Sequence, residues 1–327
     1  MQQDPRLEEW RAKFKDIIMA YARNRAPDPF MTWFRQKNSE GFFANDFERV
    51  LVVLIDSRFN QNTTAETALQ NTIAVVEQGS LKRLINREEL PLLNTTQYKT
   101  AEKWTDLFFR SLPRLHELAR RIVAQREWDA AELFRLMLRD IRVPFLWVKT
   151  SRLAVRWLHE LIPSLSIDMT SYKIPIDRHT YRVATRLGII DPNLDKYLGD
   201  DSSADLRIQS FVRQISPDKP WLLDEPLWAT GRKAANGGHC FPQGPNCKGC
   251  IFESICPRKF LDIIPEKVGM ETGYAGVRSR CIARPKDTPI PRRVAEFAKF
   301  VDELKRKGVS GEEYRAKVAQ WRREHED

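Results

Sequence analysis

The stretch HCFPQGPNCKGCIFESICPRKF, residues 239–260, contains four of the five cysteines in the chain. They are Cys240, Cys247, Cys250 and Cys256, with the spacing C-x6-C-x2-C-x5-C. Four thiolates in one short loop suit a tetrahedral metal ion or an iron–sulfur cluster. Zinc sites usually pair two C-x2-C units across a longer gap, whereas this loop has one such unit between two wider loops. We therefore predict a cubane 4Fe–4S cluster. Zinc is the second interpretation and disulfides are the third, because nothing else in the sequence indicates an oxidising compartment.

The composition is that of a basic globular protein that is long enough for two domains. The chain has 327 residues, of which 42% are hydrophobic and 30% are charged, and its formal net charge is +10. An excess of Lys and Arg favours a polyanionic partner such as nucleic acid. The N-terminal stretch MQQDPRLEEWRAKFKD has charges throughout and no apolar core, so we expect no signal peptide. No apolar run approaches the length of a membrane span, and we expect a cytoplasmic protein.

Apolar residues recur at helical spacing along most of the chain, and no convincing alternation with a period of two is present. An opening amphipathic helix is predicted from Leu7, Trp10, Phe14, Ile17, Ile18 and Tyr21. Further helices are predicted within residues 46–58, 98–123, 129–141, 149–161, 177–190 and 205–232. The helix at 46–58 should be buried, and that at 98–123 bent or broken near Pro113. The predicted fold class is all-α, with a basic linker or extended arm at residues 271–293.

One lysine stands out at the start of the predicted helix in VPFLWVKTSRLAVRWLHEL, residues 143–161. A lysine at a helix start is usually a solvated charge. Lys149, however, follows the apolar residues Phe145, Leu146, Trp147 and Val148. Apolar surroundings desolvate an ammonium group and so favour the neutral amine, which is the nucleophilic form. We therefore predict a catalytic role for Lys149.

An aspartate begins the next predicted helix, in IPIDRHTYRVATRLGII, residues 174–190. Asp is a favoured N-cap residue and needs no other role at such a position. A helix N-terminus also stabilises an ionised carboxylate. Such an anion can oppose positive charge that develops beside it.

Three features in this order resemble the helix-hairpin-helix (HhH-GPD) DNA glycosylase superfamily, in its endonuclease III and MutY branch. The first is the cysteine spacing. The second is the hairpin, which in the family reads Leu-Pro-Gly-x-Gly-x-Lys-Thr; Val143, Pro144, Lys149 and Thr150 keep that frame. The third is the segment IDRHTYRV at residues 176–183, which is similar to the family's Val-Asp-x-His-x-Phe-Arg-Val. The resemblance covers roughly residues 45–260.

The chain departs from that family at the hairpin and just after it. Phe145 and Trp147 occupy the two glycine positions, where glycine lets backbone N–H groups approach a phosphate closely. The hairpin must be reshaped, and either aromatic residue could stack on a base or line the base pocket, or both could pack in the core. The insertion at residues 161–173 sets specificity or is a surface loop. Its polar candidates for the base pocket are Asp168 and Tyr172.

The resemblance implies a six-helix domain and a 4Fe–4S cluster domain that flank a DNA cleft. Residues 1–40 would form an N-terminal helix that joins the cluster domain, and residues 41–162 the six-helix domain with the hairpin. Residues 163–265 would contain the aspartate helix and the cluster. Residues 266–327 would be a basic linker with a C-terminal helical extension, beyond the resemblance.

The function that the resemblance implies is DNA base excision with an associated β-lyase activity. Lys149 would attack the sugar of a flipped nucleotide, and Asp177 would stabilise the transition state. The partner would be double-stranded DNA with a damaged or modified base, bound by a nucleoid-associated monomer. The expected DNA contacts are Gln61, Asn62, Trp147 and Lys248. The alternatives are a monofunctional glycosylase of the same fold, with Lys149 inert, and a catalytically silent DNA-binding protein that keeps the cluster.

Overall fold

The computed structural model describes most of the chain. The described residues are 5–24, 28–60, 65–78, 101–144, 146–191, 195, 200–232, 238–240, 246–257, 262–268 and 278–284, with isolated positions between 300 and 320. Helices dominate this part of the chain, which confirms the predicted helical class. None of the helices in these ranges is long and apolar enough to cross a membrane.

Ten α-helices lie within the described ranges. They are α1 (Pro5–Asn24), α2 (Pro29–Ser39), α3 (Asp46–Phe59), α4 (Ala65–Ile73), α5 (Ala101–Gln125), α6 (Ala130–Arg135), α7 (Val148–Leu161), α8 (Arg178–Leu187), α9 (Ser203–Ile215) and α10 (Asp224–Thr230). π-helical turns at Ala74–Gln78 and Leu136–Asp140 extend α4 and α6, and a 3₁₀ turn at Pro220–Leu223 precedes α10.

Two small sheets interrupt the helical pattern. Strands β1 (Glu127–Asp129) and β2 (Ser166–Asp168) pair in parallel, so the insertion at 161–173 lies against the chain just before α6. Strands β3 (Asp262–Val268) and β4 (Arg278–Arg284) form an antiparallel pair in the region predicted as the end of the cluster domain and a linker or extended arm. These strands lack strict alternation, which is why their sequence did not predict them.

The centre of the fold is α3, and its predicted burial is confirmed. Every residue from Val50 to Phe59 is buried, and α3 packs against α4, α5 and α7. A helix surrounded on all sides needs no polar face, which explains the unbroken apolar run. The side chain of Asn45 accepts a hydrogen bond from the Glu48 backbone N–H and so caps the first turn.

The helix that contains Pro113 is continuous. The sequence suggested one or two helices bent or broken there, but α5 extends without a break from Ala101 to Gln125. Pro113 lies on the exposed face of α5. The backbone carbonyl that loses its N–H partner on that face can bond to water instead, so the cost of the proline is reduced.

Helix α1 attaches to the cysteine loop, whereas α2 packs on α4 and α7. The indole Nε1 of Trp10 donates to the carbonyl oxygen of Ile255 at 2.8 Å. Phe14 stacks on Phe252 with a centroid distance of 5.1 Å and meets Phe211 of α9 edge-on at 5.0 Å. These aromatic contacts join the N-terminal helix to the residues around the last cysteine.

A buried carboxyl group lies near the end of α3. Asp56 is 1% exposed, and its Oδ2 accepts a hydrogen bond from Asn60 Nδ2 at 2.8 Å. The Thr72 hydroxyl oxygen lies 2.7 Å from Asp56 Oδ1 and 3.0 Å from the Ala68 carbonyl oxygen. Burial raises the pKa of Asp56 to about 8, against the opposing effect of the Thr72 and Asn60 hydrogen bonds. A protonated Asp56 can donate to Thr72 while Thr72 donates to Ala68, so all the polar atoms are satisfied.

Asparagine should reproduce this protonated acid. In Asp56→Asn the amide nitrogen can donate to Thr72 and the amide oxygen can accept from Asn60. Because the folded pKa of Asp56 is raised, its contribution to stability is complete below about pH 4 and is lost as pH rises towards 8. The free energy of unfolding of the wild type should therefore fall by up to about 1.4 kcal/mol per pH unit in that window. Asp56→Asn should remove this component.

Urea unfolding of wild type and Asp56→Asn at pH 5 and pH 8 measures the difference. The variant should have nearly wild-type stability at pH 5 and greater stability at pH 8. Asp106→Asn, at an exposed position on α5, serves as the matched control and should leave the pH dependence unchanged. Equal shifts of the Asp56 variant at both pH values would contradict a neutral Asp56.

Candidate functional site

One face of α7 bears three cationic side chains, spaced so that they follow the helix repeat. They are Lys149, Arg152 and Arg156. Each forms an ion pair with a carboxylate at the start of a later helix: Asp177 before α8, Asp205 in α9 and Asp224 in α10. A helix N-terminus favours a negative charge, so each carboxylate is stabilised by its own helix and by α7.

The two inner ion pairs are buried. Arg152 Nη1 and Nη2 lie 2.7 Å and 3.0 Å from the two carboxylate oxygens of Asp205, which is a bidentate arrangement. Arg156 Nη1 donates to Asp224 Oδ2 at 2.8 Å. Removal of one partner from such a pair would leave a buried charge without compensation. We therefore interpret both inner pairs as structural.

The outer pair is the accessible one. Lys149 Nζ lies 3.1 Å from Asp177 Oδ2, and the two side chains are 31% and 14% exposed. The same helix face thus has two structural pairs and a third pair that a ligand can reach. The spacing of the cations is visible in the sequence, but their carboxylate partners are 28 to 68 residues away, and the sequence analysis identified only the outer pair.

The carboxylate of Asp177 is held in a fixed orientation. Its Oδ1 accepts hydrogen bonds from the backbone N–H groups of His179 at 2.8 Å and Thr180 at 3.1 Å, which confirms the predicted N-cap. Its Oδ2 is turned towards Lys149. One oxygen therefore orients the group while the other is available for chemistry.

Electrostatics keep Asp177 ionised. Burial alone would raise the pKa of Asp177, but the Lys149 ammonium, the His179 charge and the Thr180 N–H outweigh that effect and hold the pKa well below its usual range. Burial also raises the pKa of Asp224, against the opposing charge of Arg156. The site thus contains two carboxyl groups whose pKa values are shifted in opposite directions.

The segment that leads to Asp177 is clamped by α9. The side-chain amide of Gln209 accepts from Ile174 N and donates to Ile174 O, both at 2.9 Å. Arg152 Nη1 also donates to the Ile174 carbonyl oxygen, at 3.1 Å. Gln209 was not predicted, since nothing near it in the sequence marks its partner. Because Ile174 precedes Asp177 by three residues, these bonds fix where the carboxylate lies.

The surroundings of Lys149 differ from the apolar environment that its neighbours suggested. Leu146 is buried, but Trp147 and Val148 are only partly buried, and Asp177 lies in direct contact with the amine. An amine attacks only as the neutral form, and the carboxylate in contact with Lys149 is that of Asp177.

The hairpin before α7 is a tight turn. Leu146 N donates to Val143 O at 3.1 Å, and the Thr150 hydroxyl accepts from Trp147 N at 2.9 Å. Trp147 is the N-cap residue of α7 and is partly buried, so it neither points fully into solvent nor belongs to the core. The predicted positions Phe145, Gln61 and Asn62 lie outside the described residues.

The other predicted residues are distributed around the site. Asp168 is exposed, and its Oδ1 accepts a hydrogen bond from the backbone N–H of Thr170 at 2.9 Å within its own turn. Tyr172 is 2% exposed, and its hydroxyl has no hydrogen-bond partner among the described residues. Burial raises the pKa of Tyr172 well above its ordinary value, with a further contribution from Asp224. Lys248 is exposed in the cysteine loop.

The four predicted cysteines come together in space. Cys240, Cys247, Cys250 and Cys256 line one cavity of about 400 Å³, counting its opening to solvent. Among the described residues, the acidic trio at positions 200, 201 and 205 brings three ligand atoms within 4.8 Å of one another, and the cysteine sulfurs do not. Zn–S bonds of about 2.3 Å in a tetrahedron require sulfurs about 3.8 Å apart. The observed spacing is wider than one zinc ion requires.

Two of the thiols, Cys240 and Cys250, are stabilised in their neutral form. Burial raises the pKa of Cys240, although Arg186 Nη1 donates to its sulfur at 3.2 Å, and burial raises the pKa of Cys250 to about 11. A metal centre would therefore have to displace protons from these thiols as it binds. The chemistry of this donor set, four thiols on one cavity, fits an iron–sulfur cluster or another thiophilic metal centre.

Helix α8 joins the ion pair to the cysteine cavity. Asp177 caps its first turn, and Arg186 in its last turn contacts Cys240. Between them, Arg182 Nη1 donates to the carbonyl oxygens of Gly231 and Cys240, both at 3.0 Å. The helix is ten residues long, so one short element contacts both the ion pair and the cysteine cavity.

Comparison with known proteins adds no identification. No protein-family model matches the chain, and no curated protein matches it at a significant level. The functional interpretation therefore depends on the side chains described above.

Asparagine at position 177 should preserve the fold while it removes the charge. Asn is as good an N-cap residue as Asp, and Ala lacks the capping oxygen, so Asp177→Ala should cost about 0.5–2 kcal/mol of stability relative to Asp177→Asn. The folded pKa of Asp177 is lowered, so its ionic contribution is present above about pH 4 and is lost as pH falls further. Asp177→Asn should lack that acid-side loss.

Chemical denaturation of wild type, Asp177→Asn and Asp177→Ala at pH 7 and at pH 3 measures both effects. Ser202→Ala, which removes the N-cap side chain of α9, is the matched control for loss of a cap. Equal stability of the two Asp177 variants would rule out a capping role.

Proposed function

We propose that the protein is a DNA base-excision glycosylase of the helix-hairpin-helix superfamily with an associated β-lyase activity. The observation that carries the proposal is the accessible Lys149–Asp177 pair, with its nitrogen and oxygen 3.1 Å apart at the starts of two helices. An amine nucleophile next to an ionised carboxylate suits a reaction in which a sugar becomes cationic as its base departs. The net charge of +10 is consistent with a nucleic-acid substrate.

The reaction begins with extrusion of the target nucleotide, which costs a few kcal/mol and costs least for a damaged or mismatched base. Lys149 gives up its proton, and its neutral nitrogen bonds to the anomeric carbon of the sugar. The glycosidic bond breaks, and the base leaves with the bonding electron pair and takes up a proton. Ring opening gives a Schiff base on Lys149, and loss of a proton from C2′ with departure of the 3′ phosphate completes the β-elimination.

Asp177 acts at two points in this sequence. Its ionised Oδ2 lies where it can accept the Lys149 proton, since the two groups are in contact in the resting protein. Asp177 passes this proton to the departing base, which restores its negative charge, and the carboxylate then stabilises the cationic sugar. The orientation imposed by the His179 and Thr180 N–H groups means that little reorganisation is needed during the reaction.

The proposed architecture is the two-domain fold of that superfamily, with a six-helix domain around α3 and a cluster domain that includes α8 and the cysteine loop. The packing of α1 on α9 and on the cysteine loop supports an N-terminal helix that belongs to the second domain. The ion pairs of α7 then lie between the two domains, as a DNA cleft at that position requires.

The proposed cofactor is a 4Fe–4S cluster held by Cys240, Cys247, Cys250 and Cys256. Each cysteine of a cubane bonds a different iron, which accommodates sulfurs that are farther apart than a single zinc ion allows. The cluster would supply a rigid anchor for the loop, because base excision and β-elimination transfer no electrons. The substrate is double-stranded DNA with a damaged or modified base, bound by a monomer in the cytoplasm.

A monofunctional glycosylase is the second candidate, and one contact favours it. Lys149 Nζ is held in an ion pair with Asp177 Oδ2 at 3.1 Å. If this pair stays intact during the reaction, Lys149 does not attack, and Asp177 would instead activate a water molecule. The strand would then remain intact after the base is released.

Borohydride trapping distinguishes these possibilities. Duplexes that each contain one lesion (8-oxoguanine, thymine glycol, uracil, an abasic site, alkylated and bulkier bases) would be incubated with wild type, Lys149→Ala and Asp177→Asn. We expect a covalent protein–DNA adduct with wild type, none with Lys149→Ala, and base release slowed at least a hundredfold by Asp177→Asn. Lys13→Ala, which removes an exposed lysine that pairs with Glu9 on α1, is the matched control.

Base release without an adduct would establish the monofunctional reaction. Neither base release nor an adduct on any duplex would contradict the enzymatic proposal and would favour a DNA-binding protein without catalytic activity.

Metal analysis tests the cofactor. Anaerobically purified protein should contain about four iron and four sulfide per chain and a broad absorbance in the visible range. Cys250→Ser should lose most of this content. Ser254→Ala, within the same loop, should keep it. Stoichiometric zinc without iron or sulfide would refute the cluster.

A further inference from the structure

Three exposed arginines meet at the turn that leads into α7. Arg142 Nε donates to the Arg139 carbonyl oxygen at 2.9 Å, and Arg114 Nη1, from α5, donates to the Arg142 carbonyl oxygen at 2.8 Å. The turn itself spans residues 143–146, and Lys149 follows it. Three guanidinium groups thus lie beside the hairpin: Arg142 is seven residues before Lys149, Arg139 is ten residues before it, and Arg114 contacts Arg142.

The charges of these arginines are not neutralised within the described part of the chain. Arg114, Arg139 and Arg142 form no ion pair there. Two other exposed arginines on the same helix do have partners: Arg110 pairs with Asp106 at 2.9 Å and Arg121 pairs with Glu117 at 2.7 Å. Asp201, whose pKa is lowered slightly by Arg139, forms its ion pair with Lys173. Three guanidinium groups without an ion-pair partner in the described residues therefore lie beside the hairpin.

The backbone of Arg142 supports a specific role. Its φ is 52°, in the left-handed region that residues other than glycine rarely adopt. Such a conformation costs free energy and is kept where it serves to direct a group. Here it turns the Arg142 carbonyl towards Arg114 and the side chain back over Arg139, so that most N–H donors of the three guanidinium groups remain available.

We propose that Arg114, Arg139 and Arg142 form a binding surface for the phosphates of duplex DNA. Guanidinium groups bind phosphate oxygens bidentately and keep their charge at all relevant pH values. The hairpin contains Phe145 and Trp147 where glycines would permit close backbone approach, so side chains supply the contact with the phosphates instead. The inference rests on the proposed function in naming DNA as the partner, and it adds the residues that hold the strand next to Lys149.

The salt dependence of binding tests the proposal. The affinity of the full-length protein for a 20-base-pair duplex with a reduced abasic site would be measured by fluorescence anisotropy from low to moderate salt. Each phosphate contact contributes about 0.9 to the slope of log K against log salt concentration. Arg139→Gln/Arg142→Gln should lower the slope by about 2, and Arg114→Gln by about 1. Arg110→Gln and Arg121→Gln, on the same helix as Arg114, should leave the slope unchanged.

Arg142→Gly separates binding from folding. Glycine adopts the left-handed conformation without strain, so the melting temperature of this variant should equal or exceed that of wild type. Its slope should nevertheless fall by about 1. A lower slope accompanied by a lower melting temperature in all three single variants, Arg114→Gln, Arg139→Gln and Arg142→Gly, would mean that the arginines act through the fold and would overturn the proposal.

Further outcomes of these measurements distinguish failure of the phosphate-binding surface from failure of the proposed function. Unchanged slopes, or equal reductions in the Arg110 and Arg121 controls, would overturn the surface even if wild type excises bases. A reduced slope on heparin with no change on duplex DNA would overturn DNA as the partner. A reduced slope on DNA in a protein that neither excises nor traps would leave the surface intact and refute the glycosylase.

Discussion

The buried ion pair between Arg152 and Asp205 is the contact on which the arrangement of the site depends. It joins α7 to α9 with two hydrogen bonds at 2% and 0% exposure, where loss of either partner would leave an isolated charge. Arg152 also holds the Ile174 carbonyl, and Gln209 one turn after Asp205 completes that clamp. The position of Asp177 relative to Lys149 follows from these bonds, because both residues lie within a few positions of them. The two inner pairs hold α7 against α9 and α10. The outer pair is not needed for this packing and can therefore remain accessible.

Local patterns in the sequence predict the elements well and their partners poorly. The apolar run of α3 and the N-cap at Asp177 follow from spacing and residue type, and the structure contains both. The continuity of α5 through Pro113 depends on which face meets solvent, and that is decided by packing. The β3–β4 pair depends on cross-strand hydrogen bonds, and the two strand sequences lack the alternation of apolar and polar residues that would predict them. The predicted roles of Phe145 in the base pocket and of Gln61 and Asn62 in DNA binding remain predictions, because these residues lie outside the described ranges.

In the candidate site too, local sequence patterns predict some residues, whereas others are identified only by long-range contacts. Lys149, Asp177 and the four cysteines carry recognisable chemistry at recognisable spacing, and the structure brings each group together. Arg156, Asp224 and Gln209 are common residues on ordinary helices, and their importance comes from contacts that span 35 to 68 residues. Asp168 accepts a hydrogen bond within its own turn, and its role in a base pocket remains a prediction. Residue type therefore indicates what a site can do, and long-range contacts decide which residues take part.

The contact between Trp10 and Ile255 has a consequence for synthesis of the protein. The two residues are 245 positions apart, so α1 leaves the ribosome long before its partner exists. At about 5–20 residues per second this interval is on the order of 10–50 s. During that time the Trp10 and Phe14 side chains have neither Phe211 nor Phe252 to pack against. The aromatic face of α1 must therefore remain without these partners until the cysteine loop has been synthesised.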